Sequence, residues 1–258
     1  MLDRCLQSVY ETTVGVDFET TVVDNASSDG SAEMVRRGYP TAKLIQNTGN
    51  VGFARGNNQA YAAGAGRYFL LLNPDTICFP GALAGLVKLL DEHPPAGAVG
   101  PLVLNSDETL QYSWARFPTL WSEIRGKLDR RIKQPRACPR TVDETRAVGP
   151  FQVDWIGGCC FMARRDAIEQ IGPMDESLFM YCEEMDWCVR LRARGWEVWV
   201  NPDSRIVHLG GRSSAQSADA ADHLRASKVA YFKKHHGLLS ARVLDAALRA
   251  KQALKRAS

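Results

Sequence analysis

Short apolar runs alternate with amphipathic stretches along the first part of this chain. The apolar runs are rich in β-branched and aliphatic residues and predict strands, whereas apolar residues at helical spacing predict helices. The predicted strands are residues 20–23, 42–46, 68–72 and 98–104. The predicted helices are residues 2–10, 32–37, 53–64 and 81–92. This alternation is typical of an α/β fold with a mostly parallel central sheet flanked by helices.

The pattern becomes less regular after residue 104. Residues 105–150 hold several prolines and a basic stretch, and we predict an excursion with a helix over residues 121–132. Beyond residue 153 the chain predicts helices over residues 166–171, 184–195, 224–235 and 241–254, and a strand over residues 197–200. We therefore expect a main domain over residues 1–214 and a C-terminal helical tail over residues 215–258.

The end of this tail is amphipathic. Its apolar side consists of Val243, Leu244, Ala247, Leu248 and Leu254, and its basic side of Arg242, Arg249, Lys251, Lys255 and Arg256. Such a helix can pack its apolar side on the domain, or rest it on anionic lipid in a peripheral membrane contact. The sequence leaves both alternatives open.

Composition narrows the classes of partner and compartment. The net charge of +3 is too small to indicate a nucleic acid partner. The seven cysteines are odd in number and show no CxxC spacing, so we expect neither a disulfide framework nor a zinc site. Residues 1–11 do not resemble a signal peptide, and no run approaches the roughly 18 to 20 apolar residues of a membrane span. We expect a soluble cytoplasmic protein.

Two polar turns follow predicted strands. Ligands of parallel α/β sheets bind at the carboxyl ends of strands, and Asp24 and Asp75 both fall at such ends. In the first turn, Asp24 can accept hydrogen bonds from a nucleobase or ribose, whereas Ser27 to Asp29 can equally be only the N-cap of the next helix. In the second, an Asn-Pro-Asp turn can hold a hard divalent cation, or can simply end the strand.

A loop rich in glycine and asparagine spans residues 47–58. Glycine allows the backbone to approach a ligand closely, and the helix N-terminus that follows favours phosphate. The candidate residues of this loop are Asn50, Gly52, Arg55 and Asn57. The loop is neither a Walker loop nor a GxGxxG dinucleotide motif, so those classes lose support.

The segment over residues 180–190 is dense in acids and aromatic residues. Glu183, Glu184 and Asp186 lie among apolar neighbours, where desolvation makes a carboxylate a better base. The alternative is a helix N-terminus that favours acids through its dipole. His208 lies near a strand end, where it can be a metal ligand or a structural residue.

These segments together resemble the family 2 glycosyltransferases that build bacterial polysaccharides, many of which are rhamnosyltransferases. The resemblance covers about residues 2–214 and rests on motifs that occur in one order. They are VVDNASSDGS, NTGNVGFARGNN, LLLNPDT, DWIGGCCFMARRDAIEQIGPMDESLFMY, EEMDWCVRLRARGWEVW and HLGGRS. The resemblance implies a GT-A fold, a nucleotide-sugar donor, a glycan or lipid-linked acceptor, and inversion of the anomeric configuration.

The resemblance also implies roles for individual residues. Asp75 would bind Mn²⁺ or Mg²⁺ with help from His208, and Asn73 stands where the metal motif usually begins with Asp. Glu184 falls on the position of the catalytic base, which is usually Asp. The implied donor-binding residues are Asp24, Asn25, Ser27, Asp29, Asn50, Gly52, Arg55, Asn57, Asn73 and Asp75. The implied residues of the donor and acceptor cleft are Asp154, Trp155, Gly157, Gly158, Glu183 and Asp186.

The N-terminus departs from the family pattern. Family members begin with a central apolar strand before the helix that matches residues 2–10, whereas Met1 here opens that helix directly. We expect that this first strand is missing, through a late start or a truncation. The alternatives for function are a catalytically impaired nucleotide-sugar-binding protein, a nucleotidyltransferase and an interaction module.

Overall fold

The computed structural model of the protein describes residues 1–125, 139, 141–210 and 218–257. Its helices are α1 (Leu2–Thr12), α2 (Ser31–Gly38), α3 (Phe53–Ala63), α4 (Ala82–Glu92), α5 (Leu120–Arg125), α6 (Val142–Val148), α7 (Arg165–Ile171), α8 (Glu183–Ala193) and α9 (Ala218–Ala257). Its strands are β1 (Thr21–Asp24), β2 (Lys43–Gln46), β3 (Tyr68–Leu72), β4 (Thr76–Cys78), β5 (Ala96–Leu104), β6 (Trp114–Ala115), β7 (Phe151–Val153), β8 (Trp155–Ile156), β9 (Cys160–Arg164) and β10 (Glu197–His208).

A central sheet flanked by helices confirms the predicted α/β fold. Its strands follow the order β3–β9–β5–β10–β4, and β7 also pairs with β10. Alternate residues of β5 enter two separate apolar clusters, with Leu102 facing α7 and α8 and Val103 facing α1 and α4. Both faces of the sheet are therefore covered, which explains why every residue of β5 is buried.

Strand directions differ from the predicted, mostly parallel pairing. Among the described pairs, β5 and β10 are parallel, as are β1 and β2 in a separate sheet, and the other pairs are antiparallel. The main cause is β9, which folds back between β3 and β5. Its continuous apolar run lacks the alternation that would have predicted a strand.

The excursion and the last strand also differ from the prediction. Residues 105–150 contain β6 and α6, and the predicted helix near residue 121 is α5; residues 126–132 lie outside the described part of the chain. β10 was predicted to end at Val200 but continues to His208. A register shift between Asn201 and Arg205 carries the strand past Pro202.

The predicted missing strand stays a prediction. In the described residues β1 pairs with β2 on one edge, and β3 pairs with β9 on one edge. The other edge of each of these strands has no strand partner there, so its backbone groups are free to pair.

The C-terminal tail packs against the domain. Tyr231, Phe232 and Leu244 of α9 are buried beside Met185 of α8 and Cys182, which precedes α8. α9 breaks at Gly237 (φ 84°, ψ 167°), a backbone conformation that favours glycine. Leu244 and Leu248 of the apolar side that was a candidate for lipid are thus packed in this cluster, whereas Val243 is exposed and the side chain of Leu254 lies outside the described residues. None of the described helices combines the length and apolar character that a bilayer crossing requires.

This packing predicts unequal effects of two leucine truncations in α9. Leu244→Ala removes a fully buried side chain and should lower the free energy of unfolding by about 2–5 kcal/mol. Leu239→Ala removes a side chain that is 76% exposed and should change it by less than about 0.5 kcal/mol. Chemical denaturation of both variants tests this, and equal effects would contradict the packed arrangement.

Candidate active site

Asp75 lies in the turn between β3 and β4, with His208 beside it at the end of β10. The distance from His208 Nε2 to Asp75 Oδ1 is 3.3 Å. The antiparallel register of β4 and β10 brings them together, because His208 pairs with Thr76. The hydrogen bond to His208 outweighs burial and holds the pKa of Asp75 below its ordinary value. The two predicted metal ligands are therefore adjacent, and Asp75 is ionised at neutral pH.

The Asp75–His208 pair suits a divalent cation. A carboxylate and an imidazole are common ligands of Mn²⁺, and a carboxylate also suits Mg²⁺. Among the described residues, no group of three or more His, Cys, Asp or Glu side chains is arranged to hold a metal ion. A cation at this pair would therefore need further ligands, such as water and the phosphate oxygens of a donor.

Asn73 begins the same turn and acts through its backbone. Its N–H donates to the Cys159 carbonyl (2.9 Å), and its own carbonyl accepts from the Thr76 hydroxyl (2.7 Å). These bonds fix the path of the chain into Asp75. A donor contact of the Asn73 side chain stays a prediction.

The turn after β1 is held by its own side chains. Asp24 Oδ1 accepts from the Ser27 N–H (3.0 Å) and Oδ2 from Gln46 Nε2 (3.4 Å). Burial opposes ionisation of Asp24, but these hydrogen bonds outweigh it and lower its pKa. Asp29 Oδ1 accepts from the N–H of Ser31 at the start of α2 (3.0 Å), whose N-cap residue is Gly30. Asp24 remains an ionised acceptor at a strand end.

The glycine-rich loop is tied to this turn. Asn47 Nδ2 donates to Asn25 Oδ1 (2.9 Å), and Asn25 Nδ2 reaches the Gly52 carbonyl (3.5 Å). Gly52 has φ 86°, and a Cβ there would lie 2.6 Å from the Phe179 ring. Only glycine therefore fits at this position, where a second loop crosses the start of α3.

The other candidates of this loop make local contacts. Asn50 Oδ1 accepts from the Gly52 N–H (3.0 Å), and Asn57 Nδ2 donates to the Phe53 carbonyl (2.9 Å). Arg55 is largely exposed, and its Nε lies 3.9 Å from Glu176 Oε2. Of these three, Arg55 is the one that carries a charge, and its exposed guanidinium can reach a ligand.

Glu183 and Glu184 form the first turn of α8. Tyr181 and Cys182 before them have φ of 72° and 71°, an unusual conformation for residues with a side chain. The Oε2 atoms of both glutamates are shielded from solvent and have no hydrogen-bond partner among the described residues. Burial raises the pKa of both carboxyl groups, and the nearby charge of Glu184 raises that of Glu183 further. The pair can hold and exchange a proton near neutral pH.

A cavity of about 480 Å³ opens beside Glu184. Trp155 lies in its wall, and Lys228 and Leu224 of α9 complete it. Its full lining is Ala115, Arg116, Phe117, Pro118, Thr119, Ser122, Glu123, Trp155, Tyr181, Cys182, Glu184, Met185, Leu224 and Lys228. The cavity has two carboxylates, of which Glu123 is paired with Lys228; aromatic walls beside the carboxylate of Glu184 suit a sugar ring whose hydroxyl is to be deprotonated.

Gly157 and Gly158 connect β8 to β9. The Gly157 N–H donates to the Ser113 carbonyl (2.6 Å), which joins β8 to β6. A Cβ at Gly158 would lie 3.4 Å from the Phe53 ring and 3.7 Å from Glu184 Cβ. Gly158 thus backs both the start of α3 and the base candidate.

Asp154 and Asp186 do not line this cavity, and their place in the donor and acceptor cleft stays a prediction. Asp154 is held by Arg192 (2.8 Å) and the Phe117 N–H (3.0 Å), and it faces a separate polar cavity of about 300 Å³. Asp186 is fully buried, and Arg190, Lys234 and His235 bind its two oxygens. Asp154 lies between β7 and β8, where its contacts with Arg192 and Phe117 hold it apart from the cavity that Trp155 lines.

Sequence reasoning missed much of the cavity wall. Phe117 and Pro118 lie in the irregular excursion, and Lys228 lies in a tail that was treated as separate. Lys228 Nζ lies 2.5 Å from the buried Glu123 Oε2. The adjacent aromatic residue and proline at Phe117 and Pro118 could have indicated these two residues. Nothing in the sequence pattern indicated Lys228.

Comparison with known proteins decides the family. The family model described as Glycosyl transferase family 2 matches residues 1–172. The chain belongs to this family. N-acetylglucosaminyl-diphospho-decaprenol L-rhamnosyltransferase of Mycobacterium tuberculosis is 31% identical to this glycosyltransferase over 220 residues, which are 80% of this chain and 70% of the relative.

Solved structures confirm the GT-A fold of this glycosyltransferase. The crystal structure of GalNAc-T7 with UDP, GalNAc and Mn²⁺ superposes with a TM-score of 0.62 and 16% identity, over 88% of this chain and 45% of that chain. The structure of the mannosyltransferase PcManGT from Pyrobaculum calidifontis in complex with GDP-Man and Mn²⁺ superposes with a TM-score of 0.58 and 20% identity, over 98% of this chain and 71% of that chain.

The buried glutamates predict a dependence of stability on pH. Folding raises the pKa of Glu183, so the stability that its protonated form contributes is present at acid pH and lost as pH rises through the neutral and alkaline range. Glu183→Gln keeps the shape but cannot ionise. Its melting temperature should gain on wild type steadily between about pH 5 and about pH 9. Glu169→Gln, in an exposed part of α7, is the control, and parallel pH curves for all three proteins would refute the prediction.

Proposed function

We propose that this glycosyltransferase catalyses an inverting transfer of a sugar from a nucleoside diphosphate donor to a hydroxyl group of a glycan or lipid-linked acceptor in cell-surface polysaccharide synthesis. The donor is dTDP-rhamnose or a UDP-sugar. The observation that carries this proposal is the carboxylate of Glu184, whose Oε2 is shielded and unpartnered beside an aromatic cavity. The rhamnosyltransferase among its relatives supports the class of donor and acceptor.

Glu184 acts as the general base. In its ionised form it accepts the proton of the acceptor hydroxyl, which then attacks the anomeric carbon of the donor sugar. Because attack comes from the side opposite the nucleotide, a single displacement inverts the configuration. Burial raises the pKa of Glu184 towards neutrality, which makes the carboxylate a stronger proton acceptor than an exposed one.

The donor lies along the carboxyl ends of β1 and β3. Asp24 accepts hydrogen bonds from the nucleoside, with Asn25, Ser27 and Asp29 around it. The loop over residues 47–58 approaches the diphosphate through Asn50, Gly52, Arg55 and Asn57. Asp75 and His208 hold Mn²⁺ or Mg²⁺, beside Asn73. When bound, such a cation neutralises charge that develops on the departing diphosphate.

The acceptor lies in the cavity beside Glu184. Trp155 and Phe117 offer apolar faces to its sugar ring, and Gly157 and Gly158 let the backbone approach it. Glu183 stays behind Glu184 and shares its proton.

We place the enzyme in the cytoplasm, at the inner face of the plasma membrane. Leu238, Leu239 and Val243 of α9 are exposed apolar residues beside the exposed cation Arg242. This smaller patch replaces the longer apolar side predicted from the sequence, and its chemistry suits peripheral contact with anionic lipid.

A catalytically impaired nucleotide-sugar-binding protein is the second candidate. The free edges of β1 and β3 favour it, because both strands end at the donor site. Transfer and donor hydrolysis distinguish the two candidates.

A thermal-shift screen tests donor binding. UDP-, dTDP- and GDP-sugars are added to the protein with and without Mn²⁺. Sugars of one nucleotide class should raise the melting temperature of the protein, and only when Mn²⁺ is present. At a donor concentration of 100 times Kd the stabilisation is about 2.7 kcal/mol. Asp75→Asn should abolish the shift, since it removes a cation ligand. Absence of any shift from folded wild-type protein would contradict the proposed donor site.

Substitution of Glu184 tests the chemical step. Glu184→Gln should lower kcat by roughly 10²–10⁴-fold, because the amide cannot accept the proton, and should leave the donor-induced thermal shift intact. Glu184→Asp keeps a carboxylate with shorter reach and should retain part of the activity. Glu169→Gln should match wild type, and full activity of Glu184→Gln in a transfer assay would rule out this base.

A further inference from the structure

Gln111 contacts His208 through both polar atoms of its side-chain amide. Its Oε1 lies 2.6 Å from His208 Nδ1, and its Nε2 lies 3.2 Å from the backbone oxygen of His208. The same Nε2 lies 2.8 Å from Asn105 Oδ1. One side chain thus binds the ring and the backbone of a predicted metal ligand.

The backbone oxygen of His208 decides which way the amide of Gln111 points. A carbonyl oxygen only accepts hydrogen bonds, so the amide atom that faces it must be the NH₂ group. The amide atom that faces the imidazole is then Oε1, which also only accepts. His208 Nδ1 must therefore carry the hydrogen of this contact.

This hydrogen leaves the other ring nitrogen free. In a neutral imidazole with hydrogen on Nδ1, Nε2 carries a lone pair, and here it lies 3.3 Å from Asp75 Oδ1. Two acceptors at this distance repel each other unless a proton or a metal ion lies between them; a proton on Nε2 gives the hydrogen bond to Asp75 described above, and a metal ion can take its place. A divalent metal ion can bind both His208 Nε2 and Asp75 Oδ1 as ligands. In metal-binding histidines, the N–H of the other ring nitrogen commonly donates a hydrogen bond to an oxygen acceptor.

The backbone around Gln111 is anchored to the central sheet. The N–H of Gln111 donates to the Val103 carbonyl of β5 (2.9 Å), and Leu110 forms a β-bridge with Leu104. The turn that starts at Asn105 is closed by its side chain, which donates to Thr109 Oγ1 (2.9 Å). Gln111 is therefore positioned independently of the turn that carries Asp75.

We propose that Gln111 is a positioning residue that holds His208 with hydrogen on Nδ1 and directs Nε2 at a divalent cation shared with Asp75. Gln111 acts through His208 and touches no reacting atom. The part that concerns the cation rests on the proposed function, whereas the tautomer does not.

The tautomer is tested on metal-free protein by long-range ¹H–¹⁵N NMR of the histidine rings, at a pH where the imidazole is neutral. The His208 signals are those that vanish in His208→Ala. Wild type should carry its hydrogen on Nδ1. Gln111→Leu removes the acceptor, so its population should shift towards hydrogen on Nε2, which can then donate to Asp75. Gln111→Glu restores an acceptor and should keep the wild-type tautomer.

The cation is tested by titration with MnCl₂, followed by the EPR signal of free Mn²⁺. Gln111→Leu should weaken Mn²⁺ binding by about 10- to 100-fold, the usual effect of losing such a supporting contact. Gln111→Glu should bind at least as tightly as wild type. The exposed Gln7→Leu on α1 is the matched control and should not differ from wild type.

A double variant separates positioning from a general structural effect. If Gln111 acts only through His208, His208→Ala and His208→Ala with Gln111→Leu should bind Mn²⁺ equally. A further loss in the double variant, an equal loss in Gln111→Leu and Gln111→Glu, or an unchanged tautomer in Gln111→Leu would each overturn the proposal. A tautomer that responds as expected in a wild-type protein that binds no Mn²⁺ would instead overturn the metal site of the proposed function.

Discussion

The pairing of β10 with its neighbours is the constraint on which the candidate site depends. β10 runs parallel to β5 and antiparallel to β4, and its far end places His208 opposite Thr76. Because side chains alternate between the two faces of a strand, a slip of one residue would turn His208 away from Asp75. Val198, Val200 and Ile206 are buried in the two apolar clusters and hold this register, since a slip would move each of them to the opposite face and disturb the packing of both clusters. The same register of β10 therefore buries its apolar residues and brings His208 next to Asp75.

Contacts between α8 and α9 also support the position of the proposed base, Glu184. Asp186, two residues after Glu184, is fully buried and binds Lys234 and His235 of α9, as well as Arg190 of its own helix. A buried carboxylate is costly without partners, so these contacts hold the start of α8 and α9 together. The same α9 contributes Leu224 and Lys228 to the cavity wall. Asp186 is therefore a structural residue whose position supports the site rather than lines it.

Much of the fold could be predicted from the sequence: α3 and α4 show a helical period, β3 is a short apolar run that ends at a turn, and their predicted ends lie within about two residues of the observed ones. β9 could not, because its run of Cys, Phe, Met and Ala does not distinguish a strand from a buried helical segment, and no local pattern gives a strand's direction. Within the site, Asp75 and Glu184 were predictable from acids at a strand end and among apolar residues. Gln111 and Lys228 were not, since each reaches the site through tertiary packing of a segment whose own pattern is unremarkable.

The start of α8 carries the least favourable local features of the described chain. Tyr181 and Cys182 both adopt positive φ, and Glu183 and Glu184 bury carboxylate oxygens without partners. Each feature alone costs of the order of 1–3 kcal/mol, so packing elsewhere must offset them. Trp187, which is buried on the same helix, contacts the central core and supplies part of that offset. A segment selected for stability alone would avoid this combination, whereas a general base requires a carboxylate that water does not satisfy. The shielding of Glu184 Oε2 from water is therefore a cost in folding and a property that the proposed base can use.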